Sequence, residues 1–223
     1  MRNQITLRQA GPQDAEALIA LMKQLDDETD YLLYESGERP ADVKEWRRIL
    51  SGDTGDLNRT FFVAEIRQGT QGTHDTQGTH DPNGPHDLRG RQETHDPLGP
   101  QVTYDSKDRQ ETRAPQGPLA GYLEVRTMDW KKVQHRAYFV IGIQKEWGGK
   151  GLGSLFLEYL ERWARERNIR RIWLTVIADN HKAVKLYEKA GYVTEGKHPR
   201  SMKLGEHFVD ELTMGKWLGA QEK

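Results

Sequence analysis

Residues 67–118 form a run of 52 in which only Leu88, Leu98, Val102, Tyr104 and Ala114 are apolar. A segment this polar cannot bury enough surface to offset the entropy of ordering its backbone. Any core must therefore come from the other 171 residues, a length that buries about 70% of the unfolded chain's surface around one core. Within the run, TQGTHD stands at 70–75 and again at 76–81, followed by a degraded copy, PNGPHD, at 82–87 and a further THD at 94–96. The stretch also holds six of the nine prolines. It reads as a disordered insertion in a hairpin connection, where added length raises closure entropy only slowly. One domain over 1–223, interrupted at 67–118, is the expected organisation.

Outside the insertion, periodicity marks the elements. Ile5 to Arg8 alternates like a half-buried strand, and Gly11-Pro12 ends it. Gln13 to Leu25 predicts a helix, with Ala15, Leu18, Leu21, Met22 and Leu25 three and four apart on one face. An acidic turn, Asp26 to Asp30, follows, and Pro40 is placed to open a second helix that turns Val43, Trp46, Ile49 and Leu50 inward. Strands are expected at Phe61–Ile66, Leu119–Val125, His135–Ile143 and Ile172–Ile177, with short closing strands near Tyr192–Glu195 and Phe208–Trp217. Helices are expected from the turn at 144–150 to about Asn168, and from Asn180 to Ala190, where Gly191 is a natural cap. This order describes a mixed α/β sandwich and not a regular doubly wound sheet.

Composition narrows the partners. Thirty-three Lys and Arg against 34 Asp and Glu give a net charge of −1, so no global field favours nucleic acid or an anionic membrane. The absence of cysteine removes disulfides, thiolate metal sites and a cysteine nucleophile. No apolar stretch approaches the ~20 residues that span a bilayer, and the first ten residues lack a signal peptide's apolar run; a cytoplasmic protein is expected. His74, His80, His86 and His95, each followed by Asp, are suitable zinc or nickel ligands. With no framework to hold them, expansion of an inert repeat is the preferred reading and no metal site is expected.

The segment Trp147-Gly148-Gly149-Lys150-Gly151-Leu152-Gly153-Ser154 follows a buried strand and opens an amphipathic helix. Helix starts present backbone N–H groups without internal partners at the positive end of the macrodipole, and glycines let such amides close on a diphosphate. A P-loop needs Gly-Lys-Ser/Thr, but Gly151 follows Lys150. A dinucleotide fingerprint needs a third glycine where Ser154 stands. The run Ile141 to Gly153 instead resembles the coenzyme-A motif of the GNAT superfamily of N-acetyltransferases, Gln/Arg-x-x-Gly-x-Gly/Ala. Gly151 and Gly153 match, while Gly148 replaces the usual Gln or Arg and removes one side chain from the cradle. Asn180 to Tyr192, NHKAVKLYEKAGY, resembles the family's second signature at the expected separation. The resemblance implies a GNAT-like mixed, mostly antiparallel central sheet flanked by helices, with the low-complexity insertion in a hairpin loop. The carboxy-terminal half is similar to the branch of ribosomal-protein and small-amine acetyltransferases.

The resemblance also implies roles. Backbone at Ile141 and Ile143 would pair with the pantetheine arm of acetyl-CoA, amides at Gly148, Gly149, Lys150, Gly151, Gly153 and Ser154 would take its pyrophosphate, and Asn180 would touch the cofactor. Tyr187 would be the general acid toward the departing sulfur, a role that suits a phenol of pKa ~10; helical spacing alone would make it a core aromatic. Asn180 also reads as an N-cap. For the base, Glu124 alternates with Leu123 and Val125 and either faces the cleft or is an exposed strand carboxylate; His135 is the weaker candidate. Asp26, Glu28, Asp30 and Tyr31 sit where similar enzymes bind the acceptor, and the carboxylates would attract an ammonium group if they are more than a solvated charge run. The expected partner is a small-molecule or peptide amine, with neither nucleic acid nor membrane, and a homodimer stays open. A non-catalytic acyl-CoA sensor on the same fold is the alternative.

Overall fold

The computed structural model describes residues 3–52, 58–68, 101–104, 115 and 117–219. Its elements are β1 (Asn3–Gln9), a 3-10 turn (Pro12–Asp14), α1 (Ala15–Glu28), α2 (Val43–Ser51), β2 (Arg59–Gln68), β3 (Gln101–Tyr104), β4 (Leu119–Thr127), β5 (Arg136–Ile143), a second 3-10 turn (Lys145–Trp147), α3 (Leu152–Glu166), β6 (Arg171–Ile177), α4 (His181–Lys189), β7 (Val193–Leu204) and β8 (His207–Trp217). The strands form one sheet in the order β3-β1-β2-β4-β5-β6-β8-β7. All pairs are antiparallel except β1 with β3 and β5 with β6.

The central strands are buried on both faces, which is why they read as continuous apolar runs. On one face Phe62, Ala64 and Ile66 of β2 and Leu123 and Val125 of β4 meet Leu152, Phe156, Leu160 and Trp163 of α3. On the other, Phe61, Val63 and Tyr122 meet the stripe Leu18, Leu21, Met22 and Leu25 of α1 and Trp46 and Leu50 of α2.

Several expectations shift. The polar stretch contributes a strand: Gln101–Tyr104 runs parallel to β1, with Ile5 opposite Val102, so 67–118 is not wholly outside the fold. Residues 69–100, 105–114 and 116, with the THD repeats and their histidines, lie outside the described residues. β2 and β4 are antiparallel neighbours from Arg59↔Arg126 to Glu65↔Leu119, as a hairpin insertion requires. α2 begins after Pro40, at Val43, and is capped by Asp42, whose carboxylate accepts the Lys44 N–H at 2.8 Å; an Asp cap outweighs a proline start. β7 runs to Leu204, well past Glu195. Periodicity missed that extension because most of β7 is exposed.

One feature of the fold has no sequence signature. Arg8 on β1 donates through both Nη atoms to Asp14 at 2.8 Å each and through Nε to Glu65 of β2 at 3.2 Å. Asp14 also accepts the Gly11 N–H at 2.9 Å. Both carboxylates are fully buried, so one guanidinium fastens β1, β2 and the entry to α1 together.

Candidate active site

β5 and β6 pair only at Arg136↔Arg171, Ala137↔Ile172 and Tyr138↔Trp173, and then diverge. Beyond that point β5 stays bonded to β4 through Gly121↔Ile143, and β6 to β8 through Ile177↔Glu211. Among the described residues, no strand thus lies between the facing edges of Phe139–Ile143 and 174–177. Tyr138 Oη and Thr175 Oγ1 lie 3.2 Å apart across the point of divergence. A cavity of about 880 Å³ enters the splay, lined by β5 from Tyr138 to Ile143, the glycine turn and one face of α4.

The turn is built for close approach. Gly149 and Gly151 have φ of +73° and +84°, and nothing lies within 4 Å of a Cβ built on either; backbone conformation, not space, requires glycine there. As N-cap of α3, Gly151 offers no side chain. The N–H groups of Leu152, Gly153 and Ser154 therefore have no acceptor among the described residues, at the positive end of a 15-residue helix. Gly148, Gly149, Gly151, Gly153 and Ser154 line the cavity, whereas Lys150 does not and holds its ammonium 4.9 Å from the Trp147 ring centroid. Gly153 has a second duty: a Cβ there would lie 2.6 Å from Leu186 Cδ2, so glycine lets α3 and α4 close together. Free amides at a glycine turn fit a diphosphate, and an unpaired strand edge fits an arm carrying amides. Coenzyme A has both.

Asn180 caps α4, its Oδ1 accepting the Ala183 N–H at 3.2 Å, and it also lines the cavity. Tyr187 lines it from α4, 8% exposed, edge-on to Phe139 at 5.9 Å and Tyr192 at 6.1 Å. Burial, with the nearby Tyr138, pushes its phenol well above the usual range, so it remains a proton donor throughout the neutral range.

The acceptor-side assignments change more. Glu124 reaches the cavity but is 5% exposed, and its Oε1 accepts from Arg59 Nε at 2.7 Å and Arg126 Nε at 2.6 Å. It is neither an exposed strand carboxylate nor a free base; it orients two guanidiniums. His135 meets Trp217 edge-on with centroids 6.3 Å apart and is no part of the lining. α1 extends to Glu28, which turns the acidic run away from the cavity. Asp26 is buried under Arg39, with contacts of 2.5 and 2.7 Å. Glu28 accepts the Lys145 N–H at 2.8 Å, and Asp30 is exposed. None of the three lines the cavity, whereas Tyr31 does, with Tyr34 and Arg39. Arg126, Tyr138 and Thr175 were not singled out in the sequence, although Arg126 stands two residues from Glu124 and so shares its strand face.

Three buried phenols give a pH dependence. Burial raises Tyr122 to about 12 and lifts Tyr187 and Tyr192 as well. Unfolded tyrosines ionise near pH ~10, so above that pH the unfolded chain binds fewer protons than the folded one and stability falls as pH rises. The melting midpoint is expected to drop between pH ~9 and ~11, and Tyr122→Phe to flatten that drop in a thermal melt.

A mixed sheet whose central parallel pair opens beside a glycine turn leaves a cleft with room for a long phosphorylated ligand. The model of the acetyltransferase (GNAT) family matches residues 78–192, and the chain belongs to that family. It is 29% identical over 102 residues to the L-amino acid N-acetyltransferase AaaT of Escherichia coli (strain K12), an alignment covering 44% of this chain and 61% of that protein. It is 43% identical over 54 residues to the uncharacterized N-acetyltransferase YdgE of Bacillus subtilis (strain 168), covering 24% and 34%. The chain thus spans less than two thirds of the length of these curated relatives. The crystal structure of a GNAT-family acetyltransferase from Streptococcus pneumoniae superposes with a TM-score of 0.70 and 26% identity over 97% of this chain and 100% of that one. The Salmonella typhimurium yncA structure, solved with acetyl-CoA, shares the fold with a TM-score of 0.65 and 14% identity over 99% and 97%.

Proposed function

We propose that the protein transfers an acetyl group from acetyl-CoA to a primary amine of a small molecule or peptide by direct attack. The observation that carries this reading is the unpaired β5 edge, Phe139–Ile143, running from the point of divergence toward the glycine turn. Acetyl-CoA supplies an activated thioester. The backbone of Ile141 and Ile143 offers the arm a strand to pair with, the amides from Gly149 to Ser154 take the diphosphate, and Asn180 adds a side-chain amide. The acceptor nitrogen, arriving neutral, bonds to the carbonyl carbon as the carbon–sulfur bond breaks. Tyr187 gives its phenolic proton to the departing sulfur and regains one from solvent, and the proton lost by the amine also passes to solvent at the cavity mouth. The cytoplasmic setting expected from the sequence goes with this reading.

The E. coli relative's name specifies L-amino acids, which supports an amine acceptor of that size. Isothermal titration of acetyl-CoA into the full chain is expected to give saturable heat, and a thiol-release assay with an amine panel to give turnover. A folded protein that produces no heat overturns the proposal; heat without turnover on any amine assigns the fold to a sensor instead.

A further inference from the structure

Among the described residues, the acceptor half of the cavity carries an unbalanced positive charge. Asp26 neutralises Arg39 through two contacts. Arg59 and Arg126 share one carboxylate, Glu124, and both approach it through Nε. Among the described residues one cation is therefore left over, and the two arginines differ in access: the Arg59 side chain is 17% exposed and that of Arg126 43%. Of the pair, Arg126 alone lines the active-site cavity. With only its Nε engaged, its Nη1 and Nη2 have no partner among the described residues. The remaining carboxylate of the lining, Glu211, is distant: it stands on β8, three strands from β4, opposite Ile177, and accepts the Ser201 hydroxyl.

The position of Arg126 gives this charge its meaning. In the β4–β5 register it faces Tyr138, the last residue of β5 paired to β6 before the strands part. Its guanidinium carbon lies 5.8 Å from the Tyr138 ring centroid, and Tyr138 meets Thr175 across the point of divergence. The open end of a planar guanidinium, presenting two parallel N–H groups, matches a carboxylate and repels a second ammonium.

We propose that Arg126 binds a carboxylate next to the reacting amine, so that the acceptor is an α-amino acid and not a diamine or polyamine. Glu124 is then a positioning residue that holds the free fork toward the cavity, and Arg126 determines specificity. This rests on the acetyltransferase reading above.

The test uses the full chain with saturating acetyl-CoA and matched acceptors: L-amino acids, the corresponding amino-acid amides, and spermidine. Loss of a charge-assisted contact predicts kcat/KM at least about tenfold higher for each acid than for its amide. The amide's less basic amine is richer in the attacking form, which biases the comparison against this result. Arg126→Gln is expected to erase the preference through the acceptor KM while leaving the acetyl-CoA Kd unchanged, and Arg126→Lys to restore part of it. A wild-type protein that treats acid and amide alike, or prefers spermidine, overturns the carboxylate assignment while leaving acetyl transfer standing. So does an Arg126→Gln protein of unchanged melting midpoint that still favours the acid. Should Arg126→Gln fail to fold, the wild-type comparison decides by itself. No acetyl-CoA heat from folded protein removes both readings together.

Discussion

Tyr187→Phe is expected to lower kcat by roughly 10²–10³, within the range that positioned general acids supply, while the acetyl-CoA Kd stays within about twofold in the same titration. The split follows from where the residue sits. Its ring packs edge-on against Phe139 and Tyr192, and phenylalanine preserves both contacts, so folding and the shape of the cavity are retained. Only the proton is lost. Because burial keeps the phenol protonated well above neutrality, wild-type kcat/KM is expected to climb with pH as more acceptor amine becomes neutral, with no early alkaline fall from the tyrosine. A Tyr187→Phe enzyme of wild-type turnover would remove the residue from the chemistry and return it to the core.

The second large effect is structural. Arg8→Met is expected to destabilise the fold by about 3–5 kcal/mol, the usual consequence of breaking a buried ion pair by removing one partner. For domains of about this size that lowers the melting midpoint by roughly 6–20 °C. Among the described residues, Asp14 then keeps the Gly11 amide and Glu65 keeps Arg67, whose Nη2 stands 3.9 Å away. Thermal melts of both proteins check this, and an unchanged midpoint would remove the fastening role from the arginine.

The sequence carried the elements and the cofactor half of the site because both rest on local rules. Strand runs such as Phe61–Ile66 and the helical spacing of Leu18, Met22 and Leu25 follow from periodicity, and the glycines at 149 and 151 fall where left-handed backbone needs them. The acceptor half was not legible because it depends on which charges meet across the fold. Asp26 looked available to an ammonium until Arg39, 13 residues away, closed on it. Glu124 looked like a base until Arg59, 65 residues away, and Arg126 both took the same oxygen. The β3 strand escaped notice for a related reason. Four residues, Gln101 to Tyr104, gain their order from pairing with β1, a partner that no local window contains.

The opening between β5 and β6 carries a liability as well as a use. A row of main-chain groups along Phe139–Ile143 with no strand partner among the described residues on that side is a template for any extended chain that reaches it, including a strand from a partly unfolded neighbour. Its place inside a cleft limits entry to a thin, single strand, which is also the shape of the ligand proposed for it. Occupancy of the cleft would thus guard against edge-to-edge aggregation, and by mass action would favour the folded state as ligand concentration rises.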